Sequence, residues 1–193
     1  MDTIVAIHTR RSIRSYEDRP VERDVIADIL WDAAQAPTTQ ISEAQLFTVI
    51  EGKKRIAAFG DSAIEYARAN RPPGAGYDWL DRPEFSVFHG APAVVVISAP
   101  GGNSQSLGDC TRSGQNLALS AHARGLATCW VGAPLPWLRT AAVKDALKIP
   151  SGYEPFAVFA LGYPSGPAAG KPRDRPQIVW ADAADEDHFT EDE

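Results

Sequence analysis

The amino-acid sequence predicts an α+β protein, a mixed sheet flanked by helices. Three observations carry this. Four short runs rich in Val, Ile, Phe and Ala, at 46–50, 93–98, 127–131 and 156–161, read as strands. Segments of helical periodicity lie between them, and nothing repeats. The clearest helical segments carry their apolar residues on one stripe only, which needs a sheet or a second helix to cover it.

In chain order, residues 2–9 open on Asp2, whose carboxylate suits the free N–H groups of a first helical turn. Residues 21–36 place Val25, Ile26, Ile29, Leu30 and Ala33 on one helical face, with Pro20 and Pro37 marking the two ends. Strand 46–50 follows. Segment 53–69 is a second amphipathic helix, with Ile56, Phe59, Ala63, Ile64 and Ala67 on one side. Residues 70–83 (NRPPGAGYDWLDRP) hold three prolines and two glycines and read as a long loop. The run 93–98 (AVVVIS) is apolar throughout, as in a strand covered on both faces. Turn chemistry at 101–108 leads into a small-residue helix at 109–124, closed by Gly125 at the C′ position. Strand 127–131, a helix at 136–147 with proline in its first turn, and strand 156–161 complete the pattern. From 162 onward prolines and charges dominate, apart from an apolar island at 177–180.

The chain of 193 residues reads as one domain over 1–181 with an acidic tail at 182–193. The net charge of −6 sits in that tail, which holds seven of the 25 carboxylates and leaves 18 acids against 19 bases elsewhere. A near-neutral body is not the footprint of a nucleic-acid binder. The longest apolar run, 91–100, is half the length of a membrane helix, and no signal-peptide pattern is visible. Cys110 and Cys129 lie 19 positions apart with no metal-ligand spacing, so neither a zinc site nor a disulfide scaffold is expected. The expected setting is cytoplasmic, with no membrane and no nucleic acid as partner.

The catalytic motifs that declare themselves by spacing are missing: no phosphate loop, no dinucleotide fingerprint, no nucleophile elbow and no HExxH. His8, His89, His122 and His188 share no ligand spacing, and no catalytic acid, base or metal site is expected. The conspicuous feature is Arg10-Arg11-Ser12-Ile13-Arg14. Three guanidiniums this close repel one another unless an anion or carboxylates intervene. Either an anion sits there, held by planar bidentate donors and a hydroxyl, or the cluster is a solvated face paired with Glu17, Asp18 or Glu22. A second cluster, Lys171, Arg173 and Arg175, lies near the C-terminus. Together they suggest one phosphate held from both ends of the chain.

These residues carry a resemblance. RRSIRSYEDRPV (10–21) followed by Ala36-Pro37-Thr38 resembles the opening of the FMN-dependent nitroreductase family. GDCTRSGQNLALSAHARGLATCWVG (108–132) is similar to that family's central helix and following strand. LKIPSGYEPFAVFALGYP (147–164) resembles the strand that leads into its C-terminal segment, where Lys171 and Arg173 stand for its basic pair. The resemblance implies the nitroreductase fold in a domain-entangled homodimer, with FMN at the subunit interface and NADH or NADPH as transient electron donor. It implies that Arg10 and Ser12 bind the phosphate with Lys171 and Arg173, and that Arg14 sits at the pyrimidine edge with Arg11 close by. Thr38 and Thr39, after Pro37, would approach from the other subunit, and the backbone at Trp130, Val131 and Gly132 would lie along the ring. The implied activity is ping-pong hydride transfer from NAD(P)H through FMN to a nitroaromatic, quinone or related small electrophile. A cation beside the ring favours the extra charge of its reduced form, and the protein needs no acid or base of its own.

One segment departs from the family pattern. Where the family continues with Asn and then Gln-Pro-Trp, this chain has Ile41 and Glu43-Ala44-Gln45. An amide is lost, and so is an aromatic anchor worth on the order of 3–5 kcal/mol if nothing refills its space. Refilling by Tyr77 or Trp79, with altered specificity, is the expectation. A non-catalytic FMN carrier or sensor, or a different flavin reaction on the same fold, are the alternatives. The small residues of 109–124 suit either close helix approach at a dimer interface or packing on the chain's own sheet.

Overall fold

The computed structural model describes residues 1–39, 45–71, 78–82, 84–167 and 173–180. Helix α1 (Thr3–Thr9) begins as the sequence requires: the Asp2 carboxylate accepts from the N–H groups of Ile4 (2.9 Å) and Val5 (3.1 Å). Helix α2 (Arg23–Ala34) buries Ile26, Ile29 and Ala33. Strand β1 (Leu46–Glu51), helix α3 (Lys53–Ala69) and strand β2 (Ala93–Pro100) follow, with a short 3₁₀ turn at Asp78–Asp81 between the last two. Helix α4 (Ser106–Ala123) starts three residues earlier than expected, and Gly125 at φ 78° closes it as the pattern foresaw. Strand β3 (Ala127–Trp130) and strand β4 (Tyr153–Gly162) bracket two short helices, α5 (Leu135–Leu138) and α6 (Ala141–Ala146).

The single helix expected over 136–147 is thus two. Thr140 takes an extended backbone (ψ 144°) as the cap before α6 and turns its hydroxyl to the Trp137 carbonyl at 2.8 Å. A short polar side chain offers the backbone a partner outside the helix, and here that local bond prevails over periodicity.

The sheet order is β1-β2-β4-β3. Among the described residues every ladder is antiparallel, which corrects the mixed sheet expected from the sequence; parallel pairing there is confined to one bridge, between Ser12 and Thr128. Apolar runs report burial and carry no information on strand direction. Alternation splits the core in two. Val95 and Ile97 of β2, with Ala157, Phe159 and Leu161 of β4, face α2 and α4. Val94, Val96, Val158 and Ala160 face α3, α5 and α6. The α+β class is as expected, in three layers with the sheet in the middle.

Two buried features escape any pattern reading. Lys144 is 7% exposed, and its ammonium donates to the carbonyls of Ser151 (3.1 Å) and Tyr153 (3.0 Å) and to Glu154 Oε1 (2.8 Å). Three acceptors match its three donors, so the charge ties α6 to the start of β4 and the turn before it. Along α4, Ser113, Gly114, Ala118, Ser120 and Ala121 face inward. Of the two uses considered for these small residues, the structure shows packing on the chain's own sheet. The exposed residues of α4 include Leu107, Thr111, Arg112 and Gln115.

Candidate functional site

Arg10 stops α1: its backbone is extended (ψ 135°) and its N–H closes the last turn onto the Ala6 carbonyl. The chain then runs along the open edge of β3, where the Ile13 N–H donates to the Thr128 carbonyl at 3.0 Å. Ile13 packs onto the core, and the two-residue period turns Arg10 and Ser12 to the opposite side. They open into a cavity of about 220 Å³ whose wall includes Gln115, Thr128, Trp130 and Phe159. Trp130, 40% exposed, leans on Phe159 with ring centroids 5.2 Å apart.

No ion pair joins Arg10, Arg11 or Arg14 to a described carboxylate. Two of the three acids considered for that role are engaged elsewhere: Asp18 with Lys53 (3.1 Å), and Glu22 with Arg19 (3.2 Å) and the Tyr163 hydroxyl (2.9 Å). Instead Arg10 meets more positive charge. A second cavity, about 520 Å³, brings Arg173 and Arg175 up to Arg10, Arg11 and Gln115, with Asp174 the one acid among the described residues on its wall. Burial first, and the neighbouring Arg173 and Arg11 second, hold the Arg10 guanidinium below its ordinary pKa. A cation half out of water among like charges is stabilised by an anion.

The other expected residues are spread more widely. Arg11 folds back, and its guanidinium donates to the carbonyls of His8 (2.8 Å) and Arg10 (2.9 Å), completing the C-terminus of α1. Arg14 lies near Cys129 and His89, and its charge acts on both. Val131 is buried and donates to the Val158 carbonyl (2.9 Å), whereas Gly132 is exposed and a Cβ there would meet nothing within 4 Å. Among the described hydrogen bonds the Gly132 N–H has no acceptor. Pro37, Thr38 and Thr39 are elsewhere: Thr39 bonds to Asp109 in the first turn of α4, while Arg10 borders Gln115 and His122. On α4 the Arg10 cavity is lined by Thr111, Gln115 and Ala118, and none of Pro37, Thr38 and Thr39 stands on its wall. One subunit therefore does not bring the two groups together.

Lys171, Tyr77, residues 41–44 and the acidic tail lie outside the described residues, as does the side chain of Trp79. From the departing segment only Gln45 is described; its Oε1 accepts from the Ser113 hydroxyl (2.7 Å) and its buried Nε2 has no partner among the described residues. Sequence reasoning missed Thr111, Gln115 and Phe159. The first two stand four residues apart on one face of α4, but that spacing marks only a shared helix face, so no local signal pointed to them.

A family model supplies the decisive observation: the model described as "Nitroreductase family" matches residues 7–163. The chain belongs to the nitroreductase family. It is 29% identical over 169 residues to the "Putative NADH dehydrogenase/NAD(P)H nitroreductase" of Methanothermobacter thermautotrophicus, covering 86% of this chain and 78% of that protein. Among solved structures, the FMN-bound nitroreductase of Bacteroides fragilis superposes with a TM-score of 0.83 at 22% identity, over 94% of this chain and 100% of that one. The FMN-bound nitroreductase of Desulfitobacterium hafniense follows at 0.78, also at 22% identity and with the same coverage. These likenesses establish the nitroreductase fold.

Two histidines beside the arginines set a pH response. Burial first, then the charges of Arg10 and Arg11, holds His122 below its ordinary pKa; burial and Arg14 do the same for His89. As pH falls below about 6.5 the unfolded chain binds protons that the folded one refuses, so stability declines. The melting temperature is expected to fall between about pH 7.5 and about pH 5.5, and less steeply in the double variant His89→Asn, His122→Asn. An equally steep fall in that variant would assign the effect to other groups.

Proposed function

We propose that this nitroreductase-family protein is an FMN-dependent NAD(P)H oxidoreductase that reduces a nitroaromatic, quinone or related small electrophile by a ping-pong route. The observation that carries it is Arg10: a half-buried guanidinium without a described carboxylate partner, beside Ser12 and Arg173, at the mouth of a cavity floored by Trp130 and Phe159. These groups are donors and cations on one side and aromatic rings on the other. That donor set fits a phosphate attached to a flat ring system.

FMN, when bound, supplies the two-electron relay between the nicotinamide and the electrophile. Arg10, Ser12 and Arg173 hold its phosphate, with Lys171 as the fourth donor. Arg11 acts one step back, fixing the end of α1 from which Arg10 projects. Arg14 places a permanent positive charge at the pyrimidine edge, where it favours the electron-rich state. The backbone at Trp130, Val131 and Gly132 lies along the ring, and the exposed Gly132 N–H is the donor offered to it. Pro37, Thr38 and Thr39 complete the site of the partner subunit in a homodimer, as their absence from the wall of the Arg10 cavity supports. The exposed Ile4, Val5 and Ile7 of α1 and Leu107 of α4 give that dimer an apolar surface to bury. One FMN-binding domain spans 1–181. Cytoplasmic residence agrees with two cysteines that are both free and both buried.

The purified protein is expected to be yellow, to release FMN on denaturation, and to lose its visible flavin band when mixed anaerobically with NADH or NADPH. A preparation that stays colourless after incubation with FMN overturns the proposal. One that binds FMN but keeps its colour with both nucleotides is a flavin carrier or sensor instead.

A further inference from the structure

We propose that Asp109 and Arg112 form a clamp that positions the segment from Pro37 to Thr39 for its part in the flavin site. The inference rests on the reading that Thr38 and Thr39 meet FMN across the subunit interface. Asp109 stands in the first turn of α4 and is 7% exposed. It accepts from the Thr39 N–H at 3.3 Å and from the Thr39 hydroxyl at 3.2 Å. Arg112, one turn on, donates from Nε to the Pro37 carbonyl at 2.9 Å and pairs with Asp109 through a second guanidinium nitrogen. The two residues therefore grip both ends of three consecutive residues, and Thr38 stands between the grips.

This segment needs such a grip. It follows the end of α2, belongs to no ladder or helix, and begins with a proline that has no N–H to donate. Its backbone geometry is set by side chains reaching it from elsewhere. The guanidinium is suited to the task because one planar fork serves a carbonyl and a carboxylate together, which an ammonium does not reproduce. The clamp is also separate from what holds α2 against α4. Near the other end of α4, Asp32 accepts from the Ser120 hydroxyl (2.7 Å) and pairs with Arg124 (2.8 Å). Removing the clamp leaves that attachment and the apolar contact of the two helices in place. Asp109 and Arg112 thus act on the flavin through Pro37 and Thr39, as positioning residues.

The test uses the full-length protein stripped of FMN and titrated with it. Asp109→Asn, Arg112→Met and Thr39→Val are each expected to weaken FMN binding by on the order of tenfold, the loss of about one charge-assisted hydrogen bond. Each is also expected to alter the visible circular dichroism of the bound flavin. The melting temperature of the FMN-free form should stay within a few degrees of wild type. Arg112→Lys should not restore affinity, and Asp109→Asn with Arg112→Met should bind little worse than either alone, because the pair works as a unit. Wild type that binds FMN while the variants match it in affinity and spectrum overturns the clamp alone. So does a loss of affinity that follows the loss of apoprotein stability variant by variant. Wild type that binds no FMN overturns the functional reading, and the clamp with it.

Discussion

Arg10→Ala is expected to weaken FMN binding about ten- to a hundredfold. Hydrogen bonds to a charged group contribute about 1.5–3 kcal/mol each, and each 1.4 kcal/mol is a factor of about ten in the dissociation constant. Arg10 holds the upper part of that range because it is half buried and no described carboxylate pairs with it in the free protein. Its attraction for a phosphate is not first spent on an internal partner. Arg10→Ala with Lys171→Ala should lose more than either single variant, and the affinity of wild type should decline with salt. Arg10→Lys should recover only part, because a point charge replaces a bidentate fork. The free protein supplies the control. Since Arg10 is repelled by Arg173 and Arg11, its removal should leave the melting temperature of the FMN-free form unchanged or slightly higher. Titration by flavin fluorescence measures the affinities, and thermal denaturation of the FMN-free form measures the control. A double variant that binds FMN like wild type would remove the phosphate assignment.

Gly114→Ala is the second large effect, and it acts through packing. A Cβ at Gly114 would stand 2.6 and 2.7 Å from Cζ and Cε2 of Phe159. Phe159 is 3% exposed and meets Trp130, so the space its ring can yield into is the cavity that holds Arg10 and Ser12. Overpacking of this kind costs about 1–3 kcal/mol, while alanine in a helix interior returns up to about 1 kcal/mol of the glycine's conformational penalty. A net loss of up to about 2 kcal/mol remains, which at its upper end is about 4–8 °C in melting temperature for a chain of this size. Phe159 also borders the cavity that holds Arg10 and Ser12, so a displaced ring should weaken FMN binding as well. Adding Phe159→Leu should recover part of the stability. An unchanged melting temperature in Gly114→Ala would show that the ring yields freely.

The secondary structure was legible wherever one local rule acted alone. Asp2 capped its helix, Gly125 closed another, and the apolar runs became strands, because each rests on contacts a few residues apart. It failed where two local rules competed, as at Thr140, and where the needed information was not local at all, as in strand direction. The same division runs through the site. Arg10, Ser12 and the basic C-terminal cluster could be singled out from crowding of like charge. Gln115 and Phe159 could not, since a glutamine on a helix and a phenylalanine in a strand look like surface and core until the fold sets them on one wall.

By itself the sequence determined the α+β class, most helix ends, and a concentration of cations that calls for an anion. Those properties follow from residue type and short spacing, which every conformation of the chain carries. Only the tertiary structure decided that Asp18 and Glu22 pair with Lys53 and Arg19 rather than with the first cluster. It alone turned Arg11 back onto α1, joined Pro37 and Thr39 to Asp109 and Arg112, and set Arg173 beside Arg10. Several of these partners lie 70 or more residues apart along the chain. Coulomb attraction and hydrogen bonding act over a few ångströms, so such choices exist only once the layers have packed.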